Sequence, residues 1–337
     1  MWGNFMRSTL LILSLTMLST GLSAEEKVYK LRWVLAHEPI GLFKEAAMVF
    51  QKEVAEKSNG KIAVQVLTLP EYEVKYNNGI KIKQKAYLRK IQEGKIEMSQ
   101  TYTTTLGQVS RSMYTLDLPF LFRDHAHATK VLEGKVGDKL LTDLSQAKLR
   151  GLAFTYSGGY RIVPGVKPIA KLEDFKGLKI RTSDSPVAMD TFNLLGAKSV
   201  PMSLDGVEEG IKKGEINEAE STYARYFTLG QNKLANIVNE TEHSLFLTSI
   251  IVNEKFWNSL PPEYQKIMKD AAVNAARVER EHSIVAAEET KKKCKENGIK
   301  IVNLDKKEEQ RFKEAMKPIY DKYKPEFGEI VSAIQSQ

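Results

Sequence analysis

Residues 155–165, TYSGGYRIVPG, and 177–181, GLKIR, are the two pieces of this 337-residue chain on which its reading turns. Each sets an arginine, Arg161 and Arg181, where an apolar, strand-like run gives way to small and turn-forming residues. An arginine at a strand end points a rigid fork of donors into whatever cleft lies there, and that fork fits a carboxylate or phosphate bidentately. On charge alone, surface ion pairing is the plainer role for both. The sequence on either side decides between the two.

The chain is long enough for two ordinary domains or one large one. Hydrophobic residues make up 42% and charged residues 27%, as in a globular protein with a substantial core. The formal charge is +8, with acids and bases interspersed and no basic block among aromatics, so no nucleic-acid footprint is present. Arg7 precedes an apolar run at 9–17, followed by small and polar residues ahead of Glu25 and Glu26. That order predicts a secretory signal over residues 1–24, cut after Ala24, and its apolar run is too short to span a bilayer. The expected location is the periplasm. Cys294 is the single cysteine, so no intrachain disulfide forms. Lys291, Lys292 and Lys293 beside it are placed to lower its pKa, but a helix-face thiol without a role is the simpler reading.

Upstream of the two arginines, Tyr29, Leu31, Trp33 and Leu35 alternate with Lys30 and Arg32, as in a strand. Phe43, Ala46, Ala47, Phe50 and Val54 share one face of a helix over 42–57, stopped by Gly60. Ile62, Val64 and Val66 alternate again. Strand, helix and strand at this spacing predict a parallel crossover, hence an α/β domain. Ligands of such sheets bind at the carboxyl ends of strands, which puts His37 and Glu38 near a cleft mouth. A helix through Leu88 and Ile91 and a short strand in KIEMSQTY (95–102) follow. Asp124 caps the next helix. His125 and His127 diverge on it with no third ligand spaced for a metal, so capping and a solvated face are assigned to them.

Residues 149–154 read as a buried strand, and Gly158-Gly159 as the sharp change where the chain crosses to a second domain. Ser185-Pro186 opens a helix and Ser203 caps a shorter one, so the α/β pattern repeats. HSLFLTSIIVNEKFW (243–257) is an apolar strand returning to the first domain. Between Pro262 and Gly298 there is neither glycine nor proline. A helix of that length spans roughly 50 Å and crosses from one domain to the other. A strand at 299–302 and a single amphipathic helix through Phe312, Met316 and Tyr320 close the chain.

Four segments carry a resemblance over nearly the whole exported chain: LDLPFLFRD (116–124), EDFKGLKIR (173–181), GAKSVPMSLDGVEEGIKKGEI (196–216) and WNSLPPEYQ (257–265). Together they resemble the periplasmic solute receptors of tripartite ATP-independent (TRAP) transporters. The resemblance implies a two-domain, hinged α/β binding protein with a long helix across both domains. The expected domains are 25–158 plus 247–286, and 159–246 plus 287–337. It implies that Arg181 pairs with a ligand carboxylate and Arg161 makes a second contact. Glu220 and Ser221 lie in AES (219–221), where Ser221 stands at the family's usual asparagine, and Asn217-Glu218 replace its usual Asp-Gly. No cofactor is implied. The implied partners are an organic acid and the small and large subunits of a TRAP-type permease.

Tyr156, Tyr160, Tyr223 and Phe246 are the candidates for the cleft's apolar walls, since aromatic side chains line most small-molecule pockets. The predicted function is capture of an organic acid between the domains and its delivery to the permease. A binding protein feeding a sensor or chemoreceptor is the first alternative. An exported enzyme acting on a carboxylate is the second, and against it the chain has no G-x-S-x-G, no H-E-x-x-H and no cysteine pair.

Overall fold

The computed structural model describes residues 27–337, apart from the side chains at 84, 85 and 205. The expected signal segment therefore lies outside the described residues. β1 (Tyr29–Leu35) and β2 (Ile62–Thr68) pair in parallel, with Tyr29 opposite Ile62 and the helix Ile40–Lys57 crossing between them. The alternation of β1 turns Trp33 onto that helix, where its ring meets Phe50 edge-on at 5.2 Å. β3 (Met98–Tyr102) joins β1 in parallel, which completes the predicted crossover sheet. The remaining strands are β4 (Leu149–Gly165), β5 (Lys179–Thr182), β6 (Lys198–Pro201), β7 (Glu218–Ala219), β8 (Ser221–Thr222), β9 (Ile237–Glu240), β10 (Leu245–Asn253) and β11 (Lys300–Asn303). In space the main path runs β2-β1-β3-β10-β4-β7-β5-β6.

β4 is the element both halves share. Its first part pairs with β10 in the sheet of β1, β2 and β3. Its last part pairs with β7, β8 and β9, the last of which carries β11. Sequence reading expects a sharp backbone change at Gly158-Gly159, and it occurs within β4, which runs on through both glycines. The two glycines take φ of +89° and +83°, which a side chain resists. A Cβ at Gly158 would also meet Thr222 Oγ1 at 2.6 Å.

The long helix is Pro262–Glu296, 35 residues, as expected. Ala271, Ala272, Ala275 and Ala276 bring it close against the core of Phe43 and Phe50. Further along, Ala287 and Cys294 join Ile162, Tyr226 and Val238 in the second half. One helix thus buries small residues against both halves.

Several local expectations are corrected. The chain ends in two helices, Lys306–Ala315 and Lys317–Gln335, with Pro318 in the first turn of the second. A proline in the first turn gives up no helical hydrogen bond, so Pro318 suits the start of a helix. The charged stretch after β2 holds a helix, Leu69–Tyr76, started by a reciprocal Thr68–Glu71 cap. Ser203 makes no side-chain cap, because a 3-10 turn, Leu204–Gly206, precedes the helix Val207–Lys212. Asp124 caps as predicted, accepting from His127 N at 2.7 Å. His127, however, is buried rather than solvated, accepting from Arg123 N at 3.1 Å and facing Ile334 O at 3.0 Å. Cys294 is buried, and burial pushes its thiol up to about 11 against the pull of Lys293.

Candidate functional site

Arg181 stands near the carboxyl end of β5, opposite Val200 of β6 and Ala219 of β7. Its Nε donates to Met202 O at 2.8 Å and its Nη1 to Glu220 O at 3.3 Å. Both acceptors are backbone carbonyls. Among the described residues no carboxylate forms an ion pair with it, although its side chain is buried. Burial brings its pKa down to about 10; Glu220 opposes that shift, while Arg225 and Arg161 add to it. The group therefore keeps its charge at neutral pH.

Arg161, on β4, is buried in different company. Its Nη1 meets Glu220 Oε2 at 2.6 Å and its Nη2 reaches Asp117 Oδ1 at 3.5 Å. Glu220 Oε1 faces His243 Nε2 at 3.2 Å, and Asp117 Oδ2 accepts from Ser185 Oγ at 2.7 Å. Burial works against the charge on Glu220, yet Arg161, His243 and Arg181 hold its carboxyl down at about 2. At Asp117 burial wins, pushing the carboxyl up to about 6 against Arg161 and Ser185. Two carboxylates thus screen this one guanidinium.

A third buried arginine, Arg225, completes the group. It projects from the short helix Tyr223–Tyr226, with its guanidinium 4.2 Å from the Phe246 ring centre and 4.8 Å from that of Tyr102. Phe246 also lies under Arg161, at 3.9 Å. Tyr102 and Phe246 stack at 5.0 Å, and His37 packs against Tyr102 at 4.4 Å. Glu38 O accepts from Tyr102 Oη at 2.8 Å and from Arg225 Nη2 at 3.3 Å. The carboxyl ends of β1 and β3 therefore meet the arginine group directly, through Arg225, at the end of the sheet where an α/β fold takes its ligand. Burial, then Arg225, hold the His37 imidazole down at about 3. His37 Nε2, Arg225 Nε and Thr182 Oγ1 are buried there without a hydrogen-bond partner.

The structure thus brings together His37, Glu38, Arg161, Arg181, Glu220 and Phe246. Ser221 lies close by in β8 but donates its hydroxyl to Gln231 Oε1 at 2.8 Å. Tyr156 and Tyr160 stand apart, beside His125: the Tyr156 hydroxyl is 3.2 Å from His125 Nδ1 and the Tyr160 ring is 4.9 Å from the imidazole. Tyr160 lines a separate cavity of about 960 Å³ between residues 118–125 and the C-terminal helices. None of the three arginines lines that cavity, so its size does not make it the candidate site. Tyr223 packs beside Ile162 and Cys294 under Lys291. Arg225, Tyr102, Asp117 and His243 were missed by sequence reading. The one available signal was an arginine between aromatics in YARYF (223–227). Among the described residues no group of three His, Cys, Asp or Glu is placed to hold a metal ion, and no helix is long and apolar enough to cross a membrane.

Residues 37–326 match the family model for bacterial extracellular solute-binding protein, family 7. The chain belongs to that family. Among its relatives is the 2,3-diketo-L-gulonate-binding periplasmic protein YiaO of Escherichia coli, 31% identical over 66% of this chain and 68% of that one. The C4-dicarboxylate-binding protein DctB of Bacillus subtilis is 29% identical over 90% of this chain and 84% of its own length. A TRAP periplasmic solute-binding protein from Bradyrhizobium, solved in complex with D-galacturonate, superposes with a TM-score of 0.80 at 29% identity, covering 91% of this chain and all of that one. Another from Ochrobactrum anthropi gives a TM-score of 0.81 at 28% identity, over 93% and 95% of the two chains. The α/β fold of two lobes with a long helix, expected from the sequence, is the fold of these family members. The protein is thus a solute-binding receptor of a periplasmic family.

Proposed function

We propose that this protein captures an organic acid in the interlobe cleft through a bidentate pair between the ligand carboxylate and Arg181, and delivers it to the small and large subunits of a TRAP-type permease. One observation carries the anchor: Arg181 is buried, charged and bonded only to carbonyl oxygens. A buried guanidinium without a counter-charge is costly, and a carboxylate supplies both the charge and the matching fork. Arg161 is already screened by Glu220 and Asp117, so its part is to hold the cleft wall and offer at most a secondary donor. The names of relatives support an acid, since diketogulonate, C4-dicarboxylates and galacturonate all carry carboxylates.

A ligand on Arg181 would meet His37, Tyr102 and Phe246 from the other lobe. Contacts to both lobes favour the closed arrangement, and only such differential binding moves a hinge. Gly158 and Gly159 within the shared strand are the natural pivot, so residues 25–158 plus 247–286 and 159–246 plus 287–337 serve as the two moving bodies. We read the protein as a receptor rather than an enzyme. His37, held at about 3, is too weak a base near neutral pH, and His243 is committed to Glu220.

Native mass spectrometry of the freshly purified exported chain tests this directly. The expected result is a retained small acid, absent from Arg181→Lys. A thermal-shift panel of uronates, C4-dicarboxylates and their amides should raise the melting point only with the acids, by about 2.7 kcal/mol of added stability at a hundred times Kd. Stabilisation by the amides or by neutral sugars instead would overturn the anchor.

A further inference from the structure

We infer that the cavity of about 960 Å³ behind β4 is a second binding site, for an anion with an aromatic body, and that filling it favours closure of the main cleft. The coupling to closure rests on the hinge proposed at Gly158 and Gly159; the site itself does not. Its volume is that of a small-molecule pocket. Phe120, Tyr160, Tyr320 and Phe327 give it aromatic walls. Arg123, Lys317 and Lys324 give it charge, and among the described residues none of these three forms an ion pair. The acids of the same lining are mostly committed. Asp124 caps the helix of His127, Glu309 pairs with Lys313, and Lys291 takes Glu240 at 2.6 Å and reaches Glu242 at 3.9 Å. Asp321 is the one acid of the lining left over among the described residues, against three uncommitted cations. Aromatic walls with a surplus of positive charge suit an amphipathic anion rather than a cation or a neutral sugar.

The cavity's position gives it leverage on the cleft. Tyr160 and Arg161 are neighbours on β4, so their side chains leave opposite faces of the strand. Tyr160 lines the cavity, which therefore lies across the shared strand from the arginine group. Residues 118–125 wall it from the first moving body; Tyr160, the ends of β9 and β11 and the C-terminal helices wall it from the second. A rotation at Gly158 and Gly159 that parts the bodies on the arginine face brings them together on this one. Arg161, Arg181 and Arg225 are all buried, so the arginine face is shut while the rear cavity stands open. An occupant of the rear opposes the reverse movement, and by linkage it strengthens acid binding at the front. The rim also touches the arginine group. Phe120 takes φ +55°, a left-handed conformation costly for a bulky residue, and its N donates to His243 O at 2.7 Å. His243 in turn faces Glu220, the partner of Arg161.

Two dyes with one aromatic body test the site: 8-anilinonaphthalene-1-sulfonate, and N-phenyl-1-naphthylamine, which lacks the sulfonate. Fluorescence titration of the exported chain should show saturable binding, with the sulfonate about tenfold or more tighter, as one charge-assisted contact predicts. Lys317→Glu combined with Lys324→Glu should weaken the sulfonate by about tenfold and leave the neutral dye within about twofold. Arg181→Lys should leave both dyes within about twofold, since it removes no charge from the rear cavity. Thermal midpoints establish that each variant is folded. Equal affinity for the two dyes in wild type, or a sulfonate affinity unchanged by the double substitution, would overturn the site. Loss of dye binding in Arg181→Lys would place the dye in the main cleft and overturn it as well. Closure is read from Gln108→Cys combined with Asp184→Cys, whose native side chains meet from opposite lobes at 3.4 Å; Cys294 is buried out of reach. The sulfonate should speed oxidative cross-linking of this pair by about twofold or more. An unchanged rate with the dye bound would overturn the coupling and leave the Arg181 anchor intact. Failure of wild type to bind any acid would overturn the anchor and leave the dye results standing.

Discussion

Arg161 and Arg181 are both buried, the first on the shared strand β4 and the second on β5, yet they differ in what surrounds them. Arg161 is enclosed by Glu220 and Asp117, and Glu220 is backed in turn by His243. Arg181 has only the carbonyls of Met202 and Glu220. Burial is therefore the wrong criterion for choosing a binding arginine. Counter-charge separates the two: the screened guanidinium supports the architecture, and the unscreened one is free to recognise an anion.

The comparison breaks most visibly at Glu220. Glu220→Gln removes the charge that screens Arg161 and should cost about 3 kcal/mol of stability, read by denaturant unfolding. A change within experimental error would mean that Arg161 is as unscreened as Arg181. Phe246→Leu comes next, since it takes the aromatic face from both Arg161 and Arg225. We expect a loss of about 2 kcal/mol in thermal unfolding, shared between the two cation–π contacts.

The contrast extends to the acids. Glu220 is held by opposite charge, whereas Glu279 on the long helix accepts Tyr156 N at 2.9 Å and Ser283 Oγ at 3.1 Å. Burial pushes Glu279 up to about 8 from its ordinary 4.5. With the folded value above the unfolded one, its contribution is complete below pH 4.5 and is lost as pH rises toward 8. Glu279→Gln, which mimics the protonated acid, should flatten the fall in melting temperature between pH 5 and 8. An unchanged slope would show that the acid is charged in the fold. The smallest effect belongs to Ser221→Ala. It removes one hydrogen bond to Gln231, worth about 1 kcal/mol of stability, and should leave ligand affinity within about twofold.

Much of this was legible in the sequence because it follows from local period. The alternation of Tyr29 to Leu35, the helical face of Phe43 to Val54 and the glycine- and proline-free run before Gly298 gave the crossover and the spanning helix. Arg181 could be placed because a strand end is a local feature. Tyr160 and Arg161 show where care was needed: neighbours on a strand point to opposite faces, so both were not going to line one cleft. Arg225, Asp117 and His243 had no such local mark. Asp117 and Arg161 are 44 residues apart, and Arg225 and Glu38 are 187 apart; only tertiary structure unites them. The unexpected burial of His127 has the same origin, since its partner Ile334 lies 207 residues away.

The central claim is that Arg181, through its missing counter-charge, anchors a ligand carboxylate. Isothermal titration of wild type and Arg181→Lys, using the acid that native mass spectrometry finds on the protein, measures this most directly. Loss of two charge-assisted hydrogen bonds predicts affinity weakened by about a hundredfold or more. The melting point without ligand should stay nearly unchanged, because the lost partners are two carbonyls. Unchanged affinity in Arg181→Lys, with the fold intact, would contradict the account.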